Sequence, residues 1–137
     1  MDYYNHLAGE DMRIFVVEDS AAVRERLVEM ILGVESVNVV GTADRYGAAV
    51  AGILNTRPDV AVLDIKLADD AGSGIDVLSE VKKTLPDMRA IVLSNYATPQ
   101  HVKASADAGA EYFLDKSVDF ERITGILEQM KDEAGAR

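Results

Sequence analysis

Five residues stand out by type and by place. Glu18 and Asp19 follow the apolar run Ile14-Phe15-Val16-Val17. Asp64 follows Val60-Ala61-Val62-Leu63, and Ser94 follows Ala90-Ile91-Val92-Leu93. Lys116 comes just after Tyr112-Phe113-Leu114. Three carboxylates brought together without a counter-charge repel and raise one another's pKa. A hard divalent cation relieves this. Magnesium takes oxygen ligands, keeps waters and shares its shell with phosphate. Carboxylates without sulfur or histidine point to Mg²⁺ rather than zinc or copper. The cation and Lys116 together would draw in a phosphoryl group, whose transfer rests mostly on positioning and charge stabilisation. Asp64, central and closing the most apolar run, is then the candidate nucleophile, forming an aspartyl phosphate.

The elements must bring these five together. The apolar runs are short and unbroken, which suits strands buried on both faces of a parallel sheet. Val37-Asn38-Val39-Val40 alternates in part and reads as an edge strand. Between the runs lie helical patterns. Val23, Leu27, Met30 and Ile31 recur at helical spacing, with Gly33 as a stop. Leu78, Val81 and Leu85 repeat the rule up to Pro86, and Phe120, Ile123, Leu127 and Met130 form the last amphipathic stretch. Residues 43–55 and 98–108 are Ala-rich and less periodic helices. Thr98-Pro99 reads as an N-cap followed by proline at the first helical position. The order is strand then helix throughout. Short right-handed crossovers favour a flavodoxin-like α/β fold: a doubly wound five-stranded parallel sheet of order 2-1-3-4-5, with five helices. In such a sheet the ligand site lies beyond the carboxyl ends of the strands, where all five residues fall.

Composition fits one soluble domain. The chain has 137 residues, 48% of them hydrophobic, too many for a disordered chain. Residues 1–11 read as a loose extension, 12–131 as the domain and 132–137 as a tail. A net charge of -10 argues against nucleic acid and against anionic membrane surfaces. The absence of cysteine excludes disulfides and thiolate chemistry, and two histidines are too few for a His-based metal site. No apolar run approaches the ~20 residues of a membrane helix. The N-terminus lacks the basic start and apolar core of a signal peptide, so a cytoplasmic location is expected.

Each residue also has a plainer use. Asp19 or Ser20 could be only an N-cap, Asp64 a loop carboxylate, Lys116 a solvated lysine and Phe113 a permanent core aromatic. Those uses leave unexplained why all five chemical groups end the right strands.

The segments Ile14-Phe15-Val16-Val17-Glu18-Asp19-Ser20, Pro58-Asp59-Val60-Ala61-Val62-Leu63-Asp64, Ile91-Val92-Leu93-Ser94 and Gly109-Ala110-Glu111-Tyr112-Phe113-Leu114-Asp115-Lys116-Ser117 together resemble the receiver domain of two-component response regulators. The resemblance spans residues 12–131. It implies that Asp64 accepts a phosphoryl group from a histidine kinase or a histidine phosphotransfer protein. It implies Mg²⁺ held by Asp19, by Glu18 through water, by Asp64 and by the backbone carbonyl of Lys66. Ser94 would turn its hydroxyl to the phosphoryl group, and Lys116 would pair with a phosphoryl oxygen. Phe113 would be an aromatic switch, packed inward when the hydroxyl is engaged. The added charge of roughly -1.5 to -2 would bias a two-state element. The face made by the fourth helix, fifth strand and fifth helix, with Tyr96, His101, Phe113 and Arg122, would then meet a downstream protein or a second copy. Such a chain promotes its own phosphorylation and dephosphorylation and is not a dedicated enzyme.

Some features depart from the family pattern. The loop 65–74 is longer than the norm, with Ala68 where proline is common. Asp69 and Asp70 within it read as solvated. Gly72-Ser73-Gly74 lacks P-loop spacing and reads as a flexible turn and helix cap. Ser117 replaces a frequent proline, and the Lys-Ser pair is similar to receivers of LuxR-type transcription regulators, whose helix-turn-helix is not found here. Lys66 and Tyr96 occupy positions that tune phosphoryl lifetime, and a cation and a ring there would hinder water. Four alternatives follow: the receiver of a DNA-binding regulator, a flavodoxin, an Asp-nucleophile phosphatase, or a degenerate receiver that binds partners without phosphate. The acidic first loop opposes the flavodoxin, and Lys66, in place of a second Asp, opposes the phosphatase.

Overall fold

Successive residues of a strand face opposite sides of a sheet, so a strand buried on both sides must be apolar at every position. The computed structural model, which describes residues 11–135, builds that arrangement. In chain order the elements are β1 (Met12–Val17), α1 (Ala21–Leu32), β2 (Val37–Ala43), α2 (Tyr46–Thr56) and β3 (Val60–Asp64). Then come α3 (Gly74–Lys82), β4 (Arg89–Ser94), α4 (Pro99–Asp107), β5 (Tyr112–Asp115) and α5 (Arg122–Gly135). The strands are all parallel, in the order β2-β1-β3-β4-β5, as expected. β2 is an edge strand, as its partial alternation indicates.

The two faces of the sheet hold separate cores. Ile14, Val16, Val62, Ile91 and Leu93 pack with Leu27 and Ile31 of α1 and with Ile123, Leu127 and Met130 of α5. Phe15, Val17, Ala61, Leu63 and Val92 pack with Ala49 and Ile53 of α2 and with Val77, Leu78 and Val81 of α3. Burying a large aliphatic side chain is worth about 1.5–3 kcal/mol, and all of these residues are buried.

Several boundaries differ from the sequence reading. α2 begins at Tyr46, because Ala43 still pairs with Val17 in the sheet. α3 stops at Lys82. Pro86 disfavours helical geometry at Leu85, which stays buried in a turn closed by its N–H on the Val81 carbonyl at 2.8 Å. α5 continues to Gly135, so residues 132–135 are helix and not tail. Glu133 on that last stretch pairs with Arg89 at 2.8 Å. Gly33 and Thr98 cap as expected, the Thr98 hydroxyl accepting the His101 N–H. The expectation for residues 1–10 lies outside the described residues. Among the described residues no helix is long and apolar enough to cross a membrane.

Candidate functional site

Strand register brings the chemistry together. Val17 is level with Leu63, Asp64 with Leu93, and Ser94 with Asp115. The next residues, Glu18 and Lys116, therefore flank Asp64 at the carboxyl edge of the sheet. The chain reverses its winding between β1 and β3, and the two halves part there to leave a cleft. That cleft, about 510 Å³, is lined by all five predicted residues and by Lys66 and Tyr96. A larger cleft of about 750 Å³ lies around the amino ends of β1, β3 and β4, away from this chemistry.

Each group is held by its own loop. Ser20 caps α1, its hydroxyl accepting the Val23 N–H at 3.3 Å. The plain capping use thus belongs to Ser20, and Asp19 is left to face the cleft. Glu18 is fully buried. Its N–H donates to the Ala43 carbonyl at 2.9 Å, and its carboxylate accepts the Ser20 N–H at 3.0 Å. Arg24 of α1 donates to the Glu18 carbonyl at 2.9 Å, bracing the acidic pair. Asp64 is only 5% exposed. Gly74 lies beneath it, where a Cβ would sit 1.8 Å from the Asp64 carbonyl oxygen. Any side chain there would drive the loop off the strand end. Ser73 closes a capping box with Asp76, so it caps α3 as expected. Asp69 is half-buried rather than solvated, accepting the Tyr46 N–H at 3.4 Å. The Ala68 N–H donates to the Asp44 carbonyl at 2.8 Å, so the long loop is tied to the start of α2.

One ammonium serves two carboxylates. Lys116 Nζ lies 2.6 Å from Glu18 Oε1 and 3.0 Å from Asp64 Oδ2. Carboxylate oxygens of Glu18, Asp19 and Asp64 all lie within 4.8 Å of one another. Burial, and then the Glu18 charge, push the Asp64 carboxyl up to about 7 against the pull of Lys116. Burial also works to raise Asp19, but hydrogen bonding with Glu18 and Asp64 and the Lys116 charge outweigh it and hold Asp19 below its usual value. Burial alone would lower the Lys116 ammonium, yet contacts with Glu18 and Asp64 raise it. Three carboxyl groups thus share one ammonium, and Asp64 is the one whose proton affinity rises toward neutrality.

The donor set suits a hard cation. It offers oxygen only, with Glu18 Oε1 buried and held by the Lys116 ammonium at 2.6 Å. Glu18, Asp19 and Asp64 are the cluster whose oxygens could hold such a cation.

The remaining predicted residues divide. Ser94 is buried, its hydroxyl engaged with the Tyr96 backbone. Tyr96 is 59% exposed at the cleft mouth, and the Lys66 side chain is exposed. Phe113 is half-buried against the α2–α3 side of the sheet and does not line the cleft. The sequence reading missed Arg24 and Arg26. Arg26 stacks over Phe120 at 4.5 Å, and both line the cleft. Their place on the first two turns of α1, the helix that follows the acidic pair, was the available signal.

Known proteins share this fold and this sequence pattern. A family model described as the response regulator receiver domain matches residues 14–128. The DNA-binding transcriptional activator DevR/DosR of Mycobacterium tuberculosis is 33% identical over 107 residues, covering 78% of this chain and 48% of that protein. The signal receiver domain of NarL from Mycobacterium tuberculosis has a TM-score of 0.76 at 30% identity, covering 88% of this chain and 97% of that one. A CheY-like receiver domain protein from Methanospirillum hungatei has a TM-score of 0.80 at 28% identity, covering 90% and 95%. The chain spans about half the length of curated relatives such as DevR/DosR.

Proposed function

The chain belongs to the response regulator receiver domain family, and from that premise we propose that Asp64 accepts a phosphoryl group and that the domain, residues 12–131, is a phosphate-biased switch. The observation that carries the reading is one ammonium 2.6 and 3.0 Å from two members of a three-carboxylate cluster, inside a cleft that also holds Ser94. Bound Mg²⁺ would neutralise the carboxylates and shield the oxygens of an incoming phosphoryl group. Asp64 gives up its proton as positive charge enters, and its carboxylate oxygen attacks phosphorus in line. A phosphorus–oxygen bond forms as the bond to the donor breaks. The donor is a phosphohistidine of a histidine kinase or phosphotransfer protein. Lys116 then leaves Asp64 for a phosphoryl oxygen, and Ser94 donates its hydroxyl to another. The space Ser94 vacates lets Phe113 complete its burial, and the α4–β5–α5 face changes for a protein partner or a second copy.

Intact mass after incubation with Mg²⁺ and acetyl phosphate tests this. A phosphoryl-sized gain that needs Mg²⁺ and is lost in Asp64→Asn is expected. A folded, Mg²⁺-binding protein that gains no mass from acetyl phosphate or from any phosphohistidine donor would sink it.

A second reading concerns output. The chain spans 48% of a DNA-binding transcriptional activator, so it serves equally as the receiver half of such a regulator. In that case the switched face controls a DNA-binding domain carried by a longer chain.

A further inference from the structure

Ser94 is not free to turn. Its hydroxyl accepts the Tyr96 N–H at 2.9 Å and donates to the Tyr96 carbonyl at 3.3 Å, folding the β4–α4 loop back on itself. The same carbonyl meets His101 Nδ1 at 3.0 Å. A carbonyl oxygen can only accept, so Nδ1 carries the proton in this contact. His101 stands in the first turn of α4, where the Thr98 hydroxyl accepts its N–H at 3.1 Å. Its ring reaches back five residues and ties the loop to the helix that follows.

From this juxtaposition we infer that His101 is a positioning residue: it fastens the β4–α4 loop in the arrangement that keeps Ser94 turned from Asp64, and so opposes phosphoryl binding. The inference rests on the phosphoryl reading of Asp64. To reach a phosphoryl oxygen, Ser94 must abandon both bonds to Tyr96. Once freed, the loop shifts, and a movement of about an ångström carries the carbonyl out of hydrogen-bond reach of Nδ1. The His101 contact is thus present before phosphorylation and lost after it. It weights the equilibrium by about fivefold, the ratio set by the ~1 kcal/mol net worth of one hydrogen bond.

Two variants separate the contact from the bulk of the ring. His101→Leu removes the donor and keeps an apolar side chain. His101→Asn keeps an N–H donor close to the place of Nδ1. Two readouts apply to the whole chain: the dissociation constant of beryllium fluoride in saturating Mg²⁺, and hydrogen exchange of the Tyr96 amide without either ion. His101→Leu should bind beryllium fluoride about fivefold tighter and exchange the Tyr96 amide faster by a similar factor. His101→Asn should restore both to within about twofold of wild type. Unchanged or weaker binding in His101→Leu overturns the inference, since a merely structural role would weaken it. If the wild type takes up no beryllium fluoride, the phosphoryl reading of Asp64 fails by itself. The amide exchange then decides for the latch alone: faster in His101→Leu supports it, unchanged overturns it.

Discussion

Without divalent cation at pH 8, Asp64→Asn should be more stable than the wild type, although it removes the residue on which the site turns. The reason is the company Asp64 keeps. Burial and the Glu18 charge hold its carboxyl near 7 in the folded state, against an ordinary value of 3.8. The folded protein therefore binds that proton more tightly than the unfolded chain does. The resulting stabilisation is fully present below pH 3.8 and is lost as pH rises through 7. At ~1.4 kcal/mol per pH unit, the ionised carboxylate costs of the order of 4 kcal/mol above pH 7 before the site relaxes around it. Asparagine keeps the shape and escapes the cost. A domain of this size moves roughly 4 °C per kcal/mol, so the variant should melt at least ~5 °C higher. The assay is thermal unfolding in chelator at pH 8, 6 and 4.5. The gap should narrow as pH falls below 7 and nearly close around pH 4. Equal melting at pH 8, or a gap that widens toward acid, would refute the reasoning. Mg²⁺ at about a hundred times its dissociation constant should stabilise the wild type by ~2.7 kcal/mol and leave the variant far less affected.

Other residues give sharper contrasts. Lys116→Ala strands a buried Glu18, so in chelator it should lose ~3 kcal/mol or more, much of it regained with Mg²⁺; denaturant titration with and without the ion checks this. Gly74→Ala places a Cβ 1.8 Å from the Asp64 carbonyl oxygen and should destabilise by about 3 kcal/mol while slowing phosphorylation, read by melting and by intact mass. Arg89 binds Glu111 through two nitrogens at 2.7 and 2.6 Å and Glu133 at 2.8 Å, far from the cleft. Arg89→Ala should therefore lower stability by about 1–2 kcal/mol and leave the phosphorylation rate unchanged. Lys66→Ala and Tyr96→Ala should each shorten the phosphoryl lifetime, because both side chains stand exposed at the cleft mouth and impede water. A lifetime of seconds that neither variant alters would remove that role.

The alternation of strand and helix and the five end-of-strand residues were legible in the chain itself. Apolar runs such as Val60-Ala61-Val62-Leu63 carry their own instruction. A four-residue stretch with no polar position can only be buried on both faces, and that requires helices on both sides of a parallel sheet. From the strand order, the meeting of Glu18, Asp64 and Lys116 follows. Thr98, Gly33 and Ser73 announced their caps because capping is chemistry between near neighbours.

What is settled only in three dimensions depends on distance between remote segments. Whether Asp19 or Ser20 caps α1 is decided by which side chain the β1–α1 turn aims at the Val23 N–H. Asp69 looks like a solvated loop carboxylate until the loop folds onto Tyr46, 23 residues away in the chain. α5 outruns its apolar pattern because Glu133 finds Arg89 across the sheet end. The state of Asp64 is the clearest case. A lone aspartate in sequence is an ordinary acid. Only packing places it beside Glu18, out of water and within 3.0 Å of Lys116, and that environment turns a common carboxylate into one that holds its proton near neutrality.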